Sequence, residues 1–195
     1  MSEADKKKWD QKYIDKPQLL EFREASDVLQ RFAFDGKGKT ALDLACGTGR
    51  NTLYLAGEYF EVDAVDIASV ALDTLYADAT RCGVLEYVKP LLFDLDDFTP
   101  EPELYDVVVM CNFLDRLLIE RTKIGLKRGG FYIVETYMED DVNEKKNSKV
   151  SNLLQTGELK EIFADGFKVL YYDEVENEMH EMYRMKKQVI VVEKL

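Results

Sequence analysis

The sequence predicts an α/β fold, a seven-stranded and mostly parallel sheet that is doubly wound, with helices on both faces and an antiparallel hairpin strand near the C-terminus. Three observations predict it. From Thr40 onward, short β-branched runs alternate with amphipathic helical stretches, the mark of βαβ units around a parallel sheet. The stretch Thr40–Ala56 (TALDLACGTGRNTLYLA) passes from a strand through glycines directly into a helix. The last two apolar runs are separated by a polar stretch without helical periodicity, which fits a hairpin rather than a crossover.

Taken in order, Trp9, Tyr13 and Ile14 mark a short amphipathic segment, and Ser26 begins a helix with Val28, Leu29, Phe32 and Ala33 on one face. Both precede the first strand, so residues 1–36 are expected to form a helical cap and residues 37–195 the core of a single domain. The expected strands are Thr40–Leu44, Phe60–Asp66, Val88–Phe93, Tyr105–Met110, Phe131–Tyr137, Phe167–Asp173 and Gln188–Glu193. A helix over Arg50–Glu58 joins the first two. In the next crossover Leu72, Leu75, Tyr76 and Ala79 recur at helical spacing and form one apolar stripe. Asp94–Glu103 holds two prolines and no helical pattern, so a loop is expected there. Asp115–Leu126 reads as a helix with Leu114, Leu117, Leu118 and Ile124 inward, ending at the Gly129-Gly130 breaker. Thr156 is the expected cap of a last helix that buries Leu159, Ile162 and Phe163 and stops at Gly166.

Composition narrows the function. A chain of 195 residues with 46% hydrophobic content can bury one sizeable core. Acidic residues outnumber basic ones 38 to 26, and the resulting charge of −12 repels phosphate backbones and anionic lipid, so no nucleic-acid or membrane partner is expected. The lysines at Lys6–Lys8 and Lys145–Lys149 are interleaved with acids and read as solvated surface. Cys46, Cys82 and Cys111 form no CxxC pair and have no histidine at ligand spacing, which implies a reducing compartment and no metal. The N-terminus has no apolar stretch of a signal peptide and no apolar run exceeds strand length, so a cytoplasmic location is expected. Oligomeric state, monomer or homodimer, is left open.

The chemistry lies at the glycine turn. Gly47 and Gly49 let the backbone turn tightly and bring a nucleotide-like ligand against a helix N-terminus. Asp66 closes the next strand seventeen positions after Gly49, where a carboxylate accepts both hydroxyls of a ribose. A dinucleotide site asks for G-x-G-x-x-G, but Thr52 replaces the third glycine, so a pyrophosphate is poorly provided for. Asp43, just before the glycines, points towards where a cofactor amine could lie. That combination fits S-adenosylmethionine in a Rossmann-like core.

DLACGTGRN resembles the first motif of the class I S-adenosylmethionine-dependent methyltransferases, and FDLDDF resembles the segment whose acid sits by the adenine amino group. More narrowly, GRNTLYLA, VDAVD, FDLDDF, GELKEIFADGFKV and a closing Glu-Met-His are similar to the tellurite-resistance branch, small cytosolic enzymes related to thiopurine methyltransferases. The resemblance implies Asp43, Ala45, Cys46, Gly47, Gly49 and Asn51 beside the methionine part, Asp66 and Ile67 at the ribose and adenine, and Asp94 and Leu95 at the adenine edge. Met110, Cys111, Asn112 and Phe113 would line the transfer site, with Asn112 on the substrate side; Arg50 and Asn51 either cap the helix start or reach the substrate side, and Trp9 and Tyr13 either cover the substrate side or pack in the core. Arg23, as a carboxylate partner, and His180, the sole histidine, are the candidate catalytic residues. Departures are Ala45, where many members carry glycine, and KPQLLEFREAS in place of a tyrosine and a Pro-Asn pair. MCNFLDR holds neither Asn-Pro-Pro-Tyr nor Pro-Cys, which leaves base-flipping methylases unsupported.

The expected reaction is in-line methyl transfer to a small soft nucleophile: a thiol, or a selenium or tellurium oxyanion. A soft anion needs no general base, so the absence of a Ser/His/Asp or metal constellation is not an objection. The alternatives are a non-catalytic S-adenosylmethionine-binding regulator, a methyltransferase acting on protein or RNA, and, disfavoured by Thr52, a nicotinamide-dependent oxidoreductase.

Overall fold

A computed structural model describes residues 3–145, 150–177 and 183–195. The apolar runs pair into one seven-stranded sheet of order β3-β2-β1-β4-β5-β7-β6. The strands are β1 (Thr40–Leu44), β2 (Glu61–Asp66), β3 (Val88–Leu92), β4 (Tyr105–Cys111), β5 (Leu126–Tyr137), β6 (Phe167–Glu176) and β7 (Lys186–Lys194). All neighbours from β3 to β5 are parallel, whereas β7 runs antiparallel between β5 and β6. The expected hairpin at the sheet edge is therefore present, and its return strand is the inner one. Pro90 is tolerated because β3 is the other edge.

Strands buried on both faces carry near-continuous apolar runs, and Val107–Met110 and Val189–Val192 are of that kind. One core cluster packs α2 (Asp27–Phe32), α3 (Arg50–Gly57) and α4 (Ser69–Cys82) on the first face of the sheet, around Leu29, Leu55 and Leu75. The second packs α5 (Arg116–Thr122) and α6 (Glu158–Ile162) on the other, around Leu118, Tyr132 and Phe163. No helix joins β3 to β4, as the prolines of that segment require.

Four expectations need correction. Tyr76 is exposed, since α4 turns only Ala71, Leu72, Leu75 and Ala79 into the core. In α5 the buried stripe is Leu118, Ile119 and Thr122, leaving Leu117 and Ile124 exposed. Asp115 caps that helix by accepting from the N–H groups of Leu117 and Leu118, which sets the stripe's phase. The Gly129-Gly130 pair lies inside β5, which begins at Leu126, so it bends the strand rather than preceding it. Gly157, in a left-handed conformation with φ 75, occupies the N-cap of α6 instead of Thr156.

The N-terminal segment is longer than its apolar spacing implies. A thirteen-residue helix, α1 (Glu3–Asp15), lies against α4. Asp10 accepts from the Ser69 hydroxyl and from the Val70 N–H, both at 3.0 Å, and so caps α4 with a side chain from another element. The chain then descends through Ala25 and Ser26 into α2.

Candidate active site

The strand order reverses between β1 and β4, and in open α/β sheets ligands occupy the crevice beyond the carboxyl ends of the strands at that point. Here the glycine turn lies. Gly47 and Gly49 have φ of 57 and 83, a region that only glycine enters freely. A Cβ on Gly49 would stand 2.2 Å from Leu75 Cδ1, so this glycine also lets α3 close on α4. At Gly47 the neighbour is Tyr13, whose hydroxyl would be 3.0 Å from an added Cβ. The cap helix therefore passes directly over the turn.

Two carboxylates flank it. Asp66 is fixed by the backbone: its Oδ2 accepts from the Gly47 N–H and its Oδ1 from the Ala68 N–H, each at 2.8 Å. Burial raises its pKa, against the pull of those N–H groups. Both oxygens keep lone pairs for further donors such as ribose hydroxyls. Asp43 is almost completely buried and accepts from the Thr52 hydroxyl at 2.6 Å. Burial pushes its carboxyl up to about 7, the negative charge of Asp66 adding to the effect and Arg50 opposing it. A buried carboxylate held near neutrality is stabilised by an arriving cation. These residues fit the ammonium and ribose of S-adenosylmethionine, and Thr52, occupied with Asp43, fits no pyrophosphate.

Ala45, Cys46, Ile67, Asp94, Cys111, Asn112 and Phe113 lie at the carboxyl ends of β1 to β4 or in the turns that follow them. Burial raises the thiols of Cys46 and Cys111, the latter to about 12, so both stay protonated. Asp94 bends into a local turn, its Oδ1 accepting from the Asp96 N–H at 2.9 Å. The side chains of Met110 and Leu95 are buried in the second core cluster, which leaves their backbone as the part that can face a ligand.

Asn51 and Arg50 are buried at the start of α3, and the Asn51 side-chain oxygen accepts from the Ser26 N–H at 3.0 Å. Asn51 thus ties the cap to the turn. Trp9 and Tyr13 are half-buried on α1 with ring centroids 6.5 Å apart, and burial together with the nearby charge of Asp66 keeps the Tyr13 phenol protonated. Arg23 presents a buried Nε with no hydrogen-bond partner, and Asn112 presents a buried Oδ1 in the same condition. His180 lies outside the described residues. Among the described residues no cluster of side chains could hold a metal ion, and no helix is long and apolar enough to cross a membrane.

Three residues had no role at the site in the sequence reading: Ser26, read only as a helix start, Glu135 and Lys187. Lys187 donates to Glu135 at 2.9 Å in a pair that is almost wholly buried, and the Ser26 hydroxyl donates to the other Glu135 oxygen. The charged pair is joined across β5 and β7, whose register no local pattern reveals. The available signal was weak: a glutamate following the apolar run Phe131–Val134 and a lysine just before the run Val189–Val192.

A sheet of order 3-2-1-4-5-7-6, a glycine turn after β1 and an acid closing β2 define a class I S-adenosylmethionine-dependent methyltransferase. Within that class the chain belongs to the family described as "Tellurite resistance protein TehB", which residues 4–190 match. It is 28% identical over 186 residues to N-terminal Xaa-Pro-Lys N-methyltransferase 1 of Danio rerio, a match covering 85% of this chain and 80% of that protein. The crystal structure of TehB from Haemophilus influenzae shares the fold with a TM-score of 0.71 at 23% identity, over 87% of this chain and 60% of that one. An S-adenosylmethionine-dependent methyltransferase from Methanosarcina mazei does so with a TM-score of 0.69 at 17% identity, over 89% and 99% of the two chains.

Proposed function

We propose that this protein transfers a methyl group from S-adenosylmethionine to a small anionic nucleophile such as a thiolate or a selenium or tellurium oxyanion. The observation that carries the acceptor class is the unfilled pair of polar atoms: one guanidinium donor, Arg23 Nε, and one amide acceptor, Asn112 Oδ1. A buried donor or acceptor without a partner costs about 1–3 kcal/mol, which a ligand would return by offering a negative oxygen to Arg23 Nε or a hydroxyl to Asn112 Oδ1. A protonated oxyanion has both.

Asp43 and Asp66 would hold the cofactor, with Ile67 and Asp94 towards the adenine. When bound, it supplies an electrophilic methyl carbon on positive sulfur. The residues of the chain orient and exclude water: α1 covers the glycine turn through Tyr13, and the protonated thiols of Cys46 and Cys111 stay out of the chemistry. Positioning of this kind is worth roughly 7–11 kcal/mol of barrier. A general base is unnecessary for an acceptor that arrives as an anion.

The test is production of S-adenosylhomocysteine by purified protein with selenite, tellurite, small thiols, and a peptide beginning Xaa-Pro-Lys. Turnover with the anions above the peptide is expected. A second reading, methylation of a protein α-amine, is favoured by the similarity to the Danio rerio enzyme over 85% of the chain. Peptide turnover exceeding that of every anion would replace the first reading with the second. Asp66→Ala is expected to weaken S-adenosylhomocysteine binding by about tenfold or more, through loss of charge-assisted hydrogen bonds; an unchanged dissociation constant in calorimetry would remove Asp66 from the site.

A further inference from the structure

Two sets of polar contacts fasten the part of the cap that crosses the site to the core. At one, Asp10 caps α4. At the other, Ser26 donates its backbone N–H to Asn51 and its hydroxyl to Glu135. Between these points run residues 10–26, which carry Tyr13 over Gly47 and the partnerless Nε of Arg23. Wherever Ser26 sits, Arg23 must follow, being only three residues away.

Glu135 is an unusual anchor. It stands near the end of β5, level with Cys111 of β4, and the Asn112 N–H donates to its backbone carbonyl at 2.8 Å. One carboxylate oxygen faces Lys187, whose side chain is about 1% exposed, and the other faces Ser26. Two charges so deeply buried are costly for a fold, and an apolar pair of similar volume would serve packing as well or better. What an apolar pair could not do is hold a hydroxyl from another segment in a single geometry. Serine would then be an ordinary helix cap, yet its hydroxyl makes no bond to α2 and is spent on Glu135 instead.

We infer that Glu135 and Lys187 are positioning residues: the buried pair fixes Ser26, and through it sets the cap and Arg23 over the acceptor side of the transfer site. The inference rests on the methyltransferase reading for its catalytic consequence, but the anchoring itself does not. Lys187 orients the Glu135 carboxylate, Glu135 holds Ser26, and Asn51 holds the same residue from the cofactor turn. The cap is thereby in register with both halves of the site, the cofactor side through Asn51 and the acceptor side through Glu135.

The experiment uses Ser26→Ala, which leaves the ion pair intact, with Ser26→Thr as the conservative rescue and Glu135→Gln as a second removal. Trp9 is the sole tryptophan and lies on the cap, so its quenching by acrylamide reports the cap directly in the ligand-free protein. Ser26→Ala is expected to raise the quenching constant and to speed amide exchange over residues 10–26 by about tenfold, the size of one hydrogen bond to a charged group. Ser26→Thr should restore both. With an accepted nucleophile, KM for it should rise about tenfold with a smaller change in kcat and in S-adenosylhomocysteine affinity. Wild-type quenching and exchange in both Ser26→Ala and Glu135→Gln would overturn the anchor. An altered cap with an unaltered acceptor KM would overturn the positioning role. Failure of the wild-type protein to bind S-adenosylhomocysteine would instead sink the methyltransferase reading, while the quenching and exchange data would still decide the anchor.

Discussion

Ala45 holds φ 54 in the turn after β1, a conformation that costs a residue with a Cβ about 1–2 kcal/mol. Its side chain rests against the second core cluster, so the strain is offset in part by packing. Ala45→Gly is therefore expected to raise stability by about 1 kcal/mol in urea unfolding; a loss of stability would show that the packing outweighs the strain. Two residues before it, Asp43 makes a prediction in pH. Its ordinary value is 3.8 and burial lifts it to about 7, so the folded, ligand-free protein holds a proton that the unfolded chain releases. Its contribution to stability is present below about pH 4 and is lost as pH rises towards 7. A cation binding beside it reverses the preference, so S-adenosylmethionine affinity should increase from pH 6 to pH 8 with release of a proton. Asp43→Asn should flatten both profiles; an unchanged slope in calorimetry at the two pH values would remove Asp43 from the cation's neighbourhood. Of these two residues the sequence made Asp43 visible through its place before the glycines. It did not reveal that Thr52, read only as a missing glycine, donates to that carboxylate.

Element by element, periodicity located helices well and their faces less well. The stripe of α5 lies one position away from its expected phase because Asp115 caps the helix and fixes where its first turn begins. Asp115→Ala is expected to cost about 1 kcal/mol in thermal unfolding, since two N–H groups lose their acceptor; no change would mean that water serves them equally well. Short helices gave weak signals: α6 has only five residues and is held by Leu159 and Phe163 against the sheet rather than by its own hydrogen bonds. The opposite holds for α1. No residue on it is fully buried and its apolar residues are few, yet Asp10 and Tyr13 dock it onto α4 and the glycine turn. Helices kept by specific polar contacts leave little trace in hydrophobic spacing.

For the molecule as a whole, the charge of −12 acts on the acceptor before any contact forms. An anionic acceptor approaches against repulsion that salt screens, with a Debye length of about 10 Å at 0.1 M. Its kcat/KM should rise as salt is added from about 20 to about 150 mM, whereas that of a cationic peptide should fall; a falling profile for the oxyanion would point to local attraction by Arg23 and Arg50 outweighing the net field. The sequence by itself determined the sheet's seven strands, the hairpin at its end, the glycine turn and the two carboxylates around it. Each of these is written in neighbouring residues: alternation of strand and helix patterns, glycines that turn the chain, and an acid at a strand's end. Only the tertiary structure decided which strand lies inside the hairpin, that the cap crosses the glycine turn, and that Glu135, Lys187 and Ser26 meet. The physical reason is range. Strand order and buried charge pairs join residues far apart in the chain, 109 positions for Ser26 and Glu135, and no local pattern encodes a partner at that distance.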